Sequence, residues 1–99
     1  MTKPKAKNYN YNYVFLFYDV NVKRVSKVFK VCKKYLERYQ LSVFRGNITP
    51  SNLIKLRNEL KNIINDNEDT VAIIKLPGDF SFDEEIMGIK LKDETNLFF

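Results

Sequence analysis

Two short runs constrain this chain more than anything else in it: Tyr13 to Val20 (YVFLFYDV) and Thr70 to Leu76 (TVAIIKL) are apolar at nearly every position. A strand with one face in water alternates apolar and polar residues, whereas runs apolar on both alternating sets belong to strands buried from two sides. Both are strand-length, far short of the roughly 18 residues that would suggest a membrane span. A chain of 99 residues builds one core, so the first run predicts a central strand and the second another strand apolar on both faces, in a sheet with something packed on each side.

The segment between them supplies one covering layer. From Lys23 to Arg38 the apolar residues Val25, Phe29, Cys32 and Leu36 are spaced by four, three and four, the period of one helix face. Tyr39 to Ile48 (YQLSVFRGNI) is β-prone and predicts a short strand running into another, with Gly46 marking a bulge or bend. Thr49 and Pro50 read as cap and first residue of a second helix, with Leu53, Leu56, Leu60 and Ile64 on its apolar face and an end near Asn65. Asn65 to Asp69 makes an acidic turn, Pro77-Gly78-Asp79 stops the strand that follows, and Ile86 to Leu91 predicts a last short strand.

This order predicts an α+β fold, a ferredoxin-like βαββαβ sandwich with an extra C-terminal strand and both helices on one side of the sheet. The domain is expected over residues 13–92, after a mobile basic lead of residues 1–12 and before a tail of residues 93–99. Helices cover only one face, so the apolar second face predicts a homodimer packed through the sheets, with the trailing strand added to the partner's sheet edge.

Composition narrows the chemistry. The chain has no His, no Trp and one Cys, which excludes Ser-His-Asp and Cys-His nucleophile systems, imidazole acid–base pairs and His-ligated zinc. A lone Cys32 forms no intramolecular disulfide and no paired-thiolate metal site, and with no export signal or membrane span the chain reads as cytoplasmic. Carboxylates, lysines, tyrosines and hydroxyls remain.

Charge is unevenly distributed along the +5 chain. Up to Thr49 eleven Lys and Arg face Asp19 and Glu37, a net +9, while from Pro50 onward six basic residues face ten acidic ones, a net −4. The basic half suggests a polyanionic partner. Lys23, Lys27, Lys30, Lys34 and Arg38 recur at four, three, four and four, so on a continuous helix they form one line of like charges, either a phosphate-binding row or a solvated face.

Asp19 closes the first apolar run and is one of only two acids in the basic half. A carboxylate on a strand end has a rigid mount, and Mg²⁺ commonly needs only one or two carboxylates while keeping several waters. A two-fold dimer would pair Asp19 with its copy; otherwise Asp19 simply caps the following loop. Tyr18 reads as a core residue with its hydroxyl at the rim, Ser42 as a strand hydroxyl and Phe44 as core. Asp83, Glu84 and Glu85 read as a solvated linker rather than a cation site, and Tyr9, Tyr11 and Tyr13 share a strand face that could stack bases or be a frayed lead.

Tyr18-Asp19, Lys23-Arg24-Val25, Lys33-Lys34-Tyr35-Leu36, Gln40-x-Ser42-Val43-Phe44-x-Gly46 and Ile48-Thr49 together carry a close resemblance, over roughly Tyr13 to Ile89, to the small CRISPR-associated protein two family. Members are endoribonuclease-type partners of the spacer-acquisition integrase. The resemblance implies a ferredoxin-like homodimer in which Asp19 of both protomers binds Mg²⁺ or Mn²⁺ for cleavage of RNA or DNA. It further implies Arg24 and Arg38 as phosphate contacts, and Ser42 and Phe44, with Tyr18, as residues that shape the site and interface. It implies as partners an integrase subunit bridged by the dimer, double-stranded spacer-precursor DNA and single-stranded RNA, with no membrane. Arg45 departs from the family pattern, which usually has an acid there. Two other readings are a non-catalytic DNA scaffold of the integrase and a toxin-like ribonuclease of the same fold.

Overall fold

A computed structural model describes residues 11–77 and 82–89. In chain order the elements are β1 (Tyr11–Asp19), α1 (Val22–Tyr35), β2 (Glu37–Gln40), β3 (Val43–Asn47), α2 (Pro50–Lys61) and β4 (Thr70–Pro77). All pairings are antiparallel and the sheet order is β2-β3-β1-β4, which puts the doubly apolar β1 between β3 and β4 as its sequence demanded. This is the expected ferredoxin-like α+β sandwich.

The pairing register sorts side chains onto two faces. Val14, Leu16 and Tyr18 share the helix-covered face with Phe44, opposite Leu16, and with Ile73 and Val71, opposite Leu16 and Tyr18. Against it α1 buries Val28 and Cys32, and α2 buries Leu53, Leu56 and Leu60. Phe44 is fully enclosed, stacked with Tyr18 at 6.2 Å and met edge-on by Phe29 at 5.6 Å. Burial pushes the Cys32 thiol up to about 12, so this cysteine is an inert piece of core.

The first helix differs from the expected one at both its buried stripe and its end. Val28 and Cys32 point straight at the sheet, while Val25 and Phe29 lie half-buried on the flank. The helix stops at Tyr35 because Leu36 turns extended (φ −136°, ψ 171°) and buries itself over Gly46, where an added Cβ would lie 3.5 Å from Leu36 Cδ2. From Leu36 the chain is committed to pairing with β3, which puts Arg38 on β2 and not on the helix. Gly46 keeps regular register with Val14 at φ +150°, a conformation L side chains rarely adopt, and the register shifts fall instead between Arg38 and Gln40 of β2 and between Tyr11 and Tyr13 of β1. The second helix follows expectation at its start, where Thr49 accepts from Asn52 N at 3.1 Å ahead of Pro50. It ends at Lys61, earlier than the apolar spacing suggested.

A buried carboxylate joins the two loops at one end of the sheet. Asp69, with its side chain wholly enclosed, accepts from Asn21 N and Asn65 N at 2.8 Å each, from Arg24 Nε at 2.6 Å and from Arg24 Nη2 at 3.2 Å. Arg24 Nη2 also reaches Glu68 at 2.6 Å. The Arg24 guanidinium beside it, reinforced by the two backbone donors, holds the Asp69 carboxyl well below the usual carboxylate range. On α1 and α2, Lys34 Nζ lies 2.5 Å from Glu59, which also accepts from the Tyr35 hydroxyl.

Among the described residues no helix covers the opposite face. It carries Tyr13, Phe15 and Phe17 of β1, Val43 and Arg45 of β3, and Ala72, Ile74 and Leu76 of β4, with Phe17 38% and Ile74 49% exposed. The segment 82–89 covers part of it: Phe82 packs on Phe15 at 5.8 Å and Tyr13 at 6.4 Å. Of the strand expected over residues 86–91, residues 86–89 pair with no strand among the described residues, and residues 90 and 91 lie outside them. Of the lead expected over residues 1–12, Tyr11 and Asn12 are instead the first residues of β1, and the rest of it, like the tail from residue 93, lies outside the described residues.

Two outcomes are expected from this packing. Leu56→Ala removes a fully buried side chain between α2 and the sheet and should destabilise by about 2–5 kcal/mol in urea unfolding. Asp69→Asn should lower Tm at neutral pH and flatten the acid limb of stability. Because the folded carboxyl titrates below its unfolded value of about 3.9, its stabilisation is present above that pH and is lost as pH falls toward the folded value. Thermal melts from pH 7 to 2 would separate the wild type from a variant lacking that slope.

Candidate functional site

The candidate site lies where β1 ends. Asp19 pairs with Thr70 across the β1–β4 ladder, is exposed, and makes no hydrogen bond or ion pair among the described residues. Its alternation with Phe15 and Phe17 places it on the uncovered face of the sheet. Its mount is rigid: Tyr18 N donates to Ser42 O at 3.1 Å on one side, and on the other Asn21 caps α1 through Lys23 N at 3.0 Å while its own N–H is held by Asp69. Among the described residues no group of three His, Cys, Asp or Glu side chains is placed to hold a metal ion. At this strand end one protomer thus offers Asp19 as a free carboxylate among the described residues.

Arg24 sits one helical turn away, with its donors directed at Asp69 and Glu68 and its side chain only 15% exposed. It positions the loop after Asp19 as part of the clamp. The turn Asn65–Asp69, read in sequence as an acidic turn without a site role, supplies both carboxylates; three acids set among Asn over five residues gave no signal of which one would be buried.

The basic row needs correction. Lys23, Lys27, Lys30 and Lys34 are exposed on α1, but Arg38 leaves the line because the chain has already entered β2. The Arg38 guanidinium lies 5.2 Å over the Phe29 ring, on the helix side of the sheet. Lys34 is paired with Glu59, whereas Lys23, Lys27 and Lys30 have no ion pair among the described residues. Three lysines on successive turns therefore present unneutralised charge beside the end of β1.

Tyr18, Ser42 and Phe44 all lie close to Asp19 in the fold, in different roles. Tyr18 is buried and its hydroxyl is enclosed without a hydrogen-bond partner among the described residues, not at a rim as expected; burial pushes it up to about 12. Ser42 is in the β2–β3 turn and not in a strand. Phe44 is core. Between that turn and α1 opens a cavity of about 660 Å³ walled by Val25, Phe29 and Leu41, with Asp19, Ser42 and Lys30 also lining it.

On the uncovered face Arg45 is a further feature that sequence spacing did not reveal. Its guanidinium stacks on Tyr39 at 4.3 Å, lies 5.9 Å from the Phe82 ring and pairs with Glu84 at 3.4 Å. The acidic stretch Asp83 to Glu85 thus contributes a specific partner for Arg45. Described residues contain no helix long and apolar enough to cross a membrane.

Comparison with known proteins agrees with the fold. The CRISPR-associated endoribonuclease Cas2 of Thermotoga maritima is 35% identical over 81 residues, 82% of this chain and 93% of the relative. A second, CRISPR-associated endoribonuclease Cas2 2 of Archaeoglobus fulgidus, is 40% identical over 73 residues, 74% of this chain and 79% of the relative. A crystal structure of Cas2 superposes with a TM-score of 0.72 at 37% identity, covering 90% of this chain and 97% of that one. Streptococcus pyogenes Cas2, crystallised at pH 6.5, gives 0.69 at 30% identity over 77% and 99% of the two chains. With residues 12–80 matching the sequence model of the family described as CRISPR associated protein Cas2, this chain belongs to the Cas2 family.

Proposed function

We propose that this protein is a metal-dependent nuclease-fold homodimer of CRISPR adaptation, acting on RNA or DNA phosphodiesters and bridging an integrase subunit while binding spacer-precursor DNA. One observation carries the reading: the unpaired Asp19 carboxylate shares the uncovered sheet face with exposed Phe17 and Ile74. A second copy laid on that face buries the apolar surface and, by two-fold symmetry, adds a second Asp19. The relatives' name as endoribonucleases supports the same class of chemistry.

Hard cations take oxygen ligands and Mg²⁺ is satisfied by one or two carboxylates plus waters, so paired Asp19 side chains suit Mg²⁺ or Mn²⁺, and a His-free chain with one buried Cys suits no softer metal. When bound, such an ion supplies Lewis-acid polarisation of the phosphoryl group and a more acidic water. The protein's own part is to fix Asp19 through the Ser42 and Asn21 backbone contacts and to hold the nucleic-acid backbone on Lys23, Lys27 and Lys30. Phosphate contacts there are sequence-independent and salt-sensitive. Tyr18 and Phe44 shape the site indirectly, by filling the core beneath the end of β1.

A second reading is a DNA-binding scaffold without cleavage, favoured by the contrast between three unneutralised α1 lysines and the one carboxylate, Asp19, that each chain brings to the end of β1. Asp19→Asn discriminates. With labelled single-stranded RNA and duplex DNA in Mg²⁺, Mn²⁺ or EDTA, the nuclease reading expects metal-dependent cleavage that falls at least about 100-fold in the variant. Equal cleavage by both proteins, or none by either, would leave the scaffold. Replacing Lys23, Lys27 and Lys30 with Gln should lower the salt dependence of binding by roughly one logarithmic unit per lysine under either reading.

The dimer has its own test. Light scattering at micromolar concentration should return twice the chain mass for the wild type and a shift toward one chain for Phe17→Glu with Ile74→Lys. A wild-type mass of one chain would sink the proposed pairing of aspartates.

A further inference from the structure

We propose that the cavity between α1 and the β2–β3 turn is a subsite for one unstacked nucleobase, with the adjoining phosphate on Lys30. The inference rests on the nucleic-acid reading above and adds to it a preference for unpaired strands.

The cavity measures about 660 Å³, within the size range of small-molecule sites and ample for a nucleotide. Its walls are mostly apolar, with Val22, Val25 and Phe29 of α1 and Leu41 of the turn among the residues that line it. Val22 is 83% and Leu41 58% exposed, so two aliphatic side chains stand in water at the mouth, surface that a flat base would cover. Polar groups are few and placed around these walls. Ser26 and Ser42 carry hydroxyls that can donate to or accept from a base edge, and Lys30 carries a charge without an ion pair among the described residues.

Apolar walls, a few hydroxyls and one free ammonium match the parts of a nucleotide: a planar apolar body, a polar edge and an anionic phosphate. Lys27, also unpaired, lies one turn before Lys30 on the same helix and extends the positive charge along the strand's path. An aliphatic side chain from a protein would satisfy the walls but leave Lys30 unused. Asp19 also lines the cavity, so a base seated here brings the neighbouring phosphodiester toward the proposed site of cleavage. Paired, stacked bases cannot enter, which makes the subsite selective for single strands or splayed ends. Phe15, Phe17, Ala72 and Ile74 take no part in the walls, so a second protomer on the uncovered face leaves the cavity formed.

The test fills the cavity from its rim. Ser26 is exposed on α1, so Ser26→Trp places an indole over the opening while Ser26→Ala leaves it clear. Binding is read by fluorescence anisotropy in EDTA, which removes cleavage, with a labelled single-stranded RNA, the same RNA annealed to its complement, and a strand carrying abasic sites. Expected are about tenfold weaker single-strand binding by Ser26→Trp, no change on the duplex, and about tenfold weaker binding of the abasic strand by the wild type. Ser26→Ala, which removes one hydroxyl but leaves the opening clear, should weaken single-strand binding by about threefold at most, and Lys30→Gln should lower the salt slope by about one. Leu41→Trp repeats the blockade from the opposite wall if Ser26→Trp does not melt cooperatively. Folded Ser26→Trp or Leu41→Trp binding single strands as tightly as the wild type would falsify the subsite and give the cavity to a protein side chain. If Asp19→Asn loses cleavage in the same preparations, only the subsite falls. A wild type that binds neither RNA nor duplex overturns both readings.

Discussion

The Asp69 carboxylate is the interaction on which the functional end of this molecule depends. Four donors converge on it from three segments: Asn21 N from the β1–α1 loop, Arg24 Nε and Nη2 from α1, and Asn65 N from the α2–β4 loop. Enclosing a charge is costly unless every oxygen is satisfied, and here both are. The clamp therefore tolerates little displacement of any segment. It launches β4 alongside β1, sets where α1 begins and fixes the loop that follows Asp19, so the carboxylate at the strand end inherits its position from one it does not touch.

Given that frame, each face of the sheet takes a different role. The helix-covered side is closed by interlocking apolar side chains, with Phe44 gripped between Tyr18 and Phe29 and the thiol of Cys32 sealed beneath α1. The other side is half covered by the chain itself, through Phe82 on the β1 aromatics and Glu84 on Arg45, and half open around Phe17 and Ile74. Asp19 belongs to the open half. Apolar surface and a free carboxylate on one face are the conditions under which pairing two chains would both bury area and assemble a ligand set that neither holds alone.

Basic residues divide by the same logic. Arg24, whose planar guanidinium suits bidentate pairing, is spent on carboxylates inside the fold, and Arg38 and Arg45 lie against aromatic rings. Lysines 23, 27 and 30 stay in water on α1. Arg24, Arg38 and Arg45 thus organise the protein, while the charges of these three lysines are left without an ion pair among the described residues beside the end of β1.

Much of this was legible in the sequence because it depends on local periodicity. The first doubly apolar run placed β1 in the interior of the sheet order, while β4, equally apolar, stands at the edge beside it; Thr49-Pro50 located the start of α2 to the residue, and Asp19 stood out as an acid on a strand end in a basic stretch. The alternation of β1 also determined that one apolar face would lack a helix. What only the tertiary structure decided involves contacts between residues distant in the chain. A helical spacing continued through Arg38, but the pull of β3 pairing and the burial of Leu36 over Gly46 ended the helix at Tyr35 and took Arg38 out of the row. Nothing local distinguished Asp69 from the acids around it, or Arg24 from neighbouring lysines, because a buried ion pair across 45 residues of chain is set by loop packing. Periodicity is a property of successive residues and survives in the sequence; partnership across the fold exists only once the chain has closed.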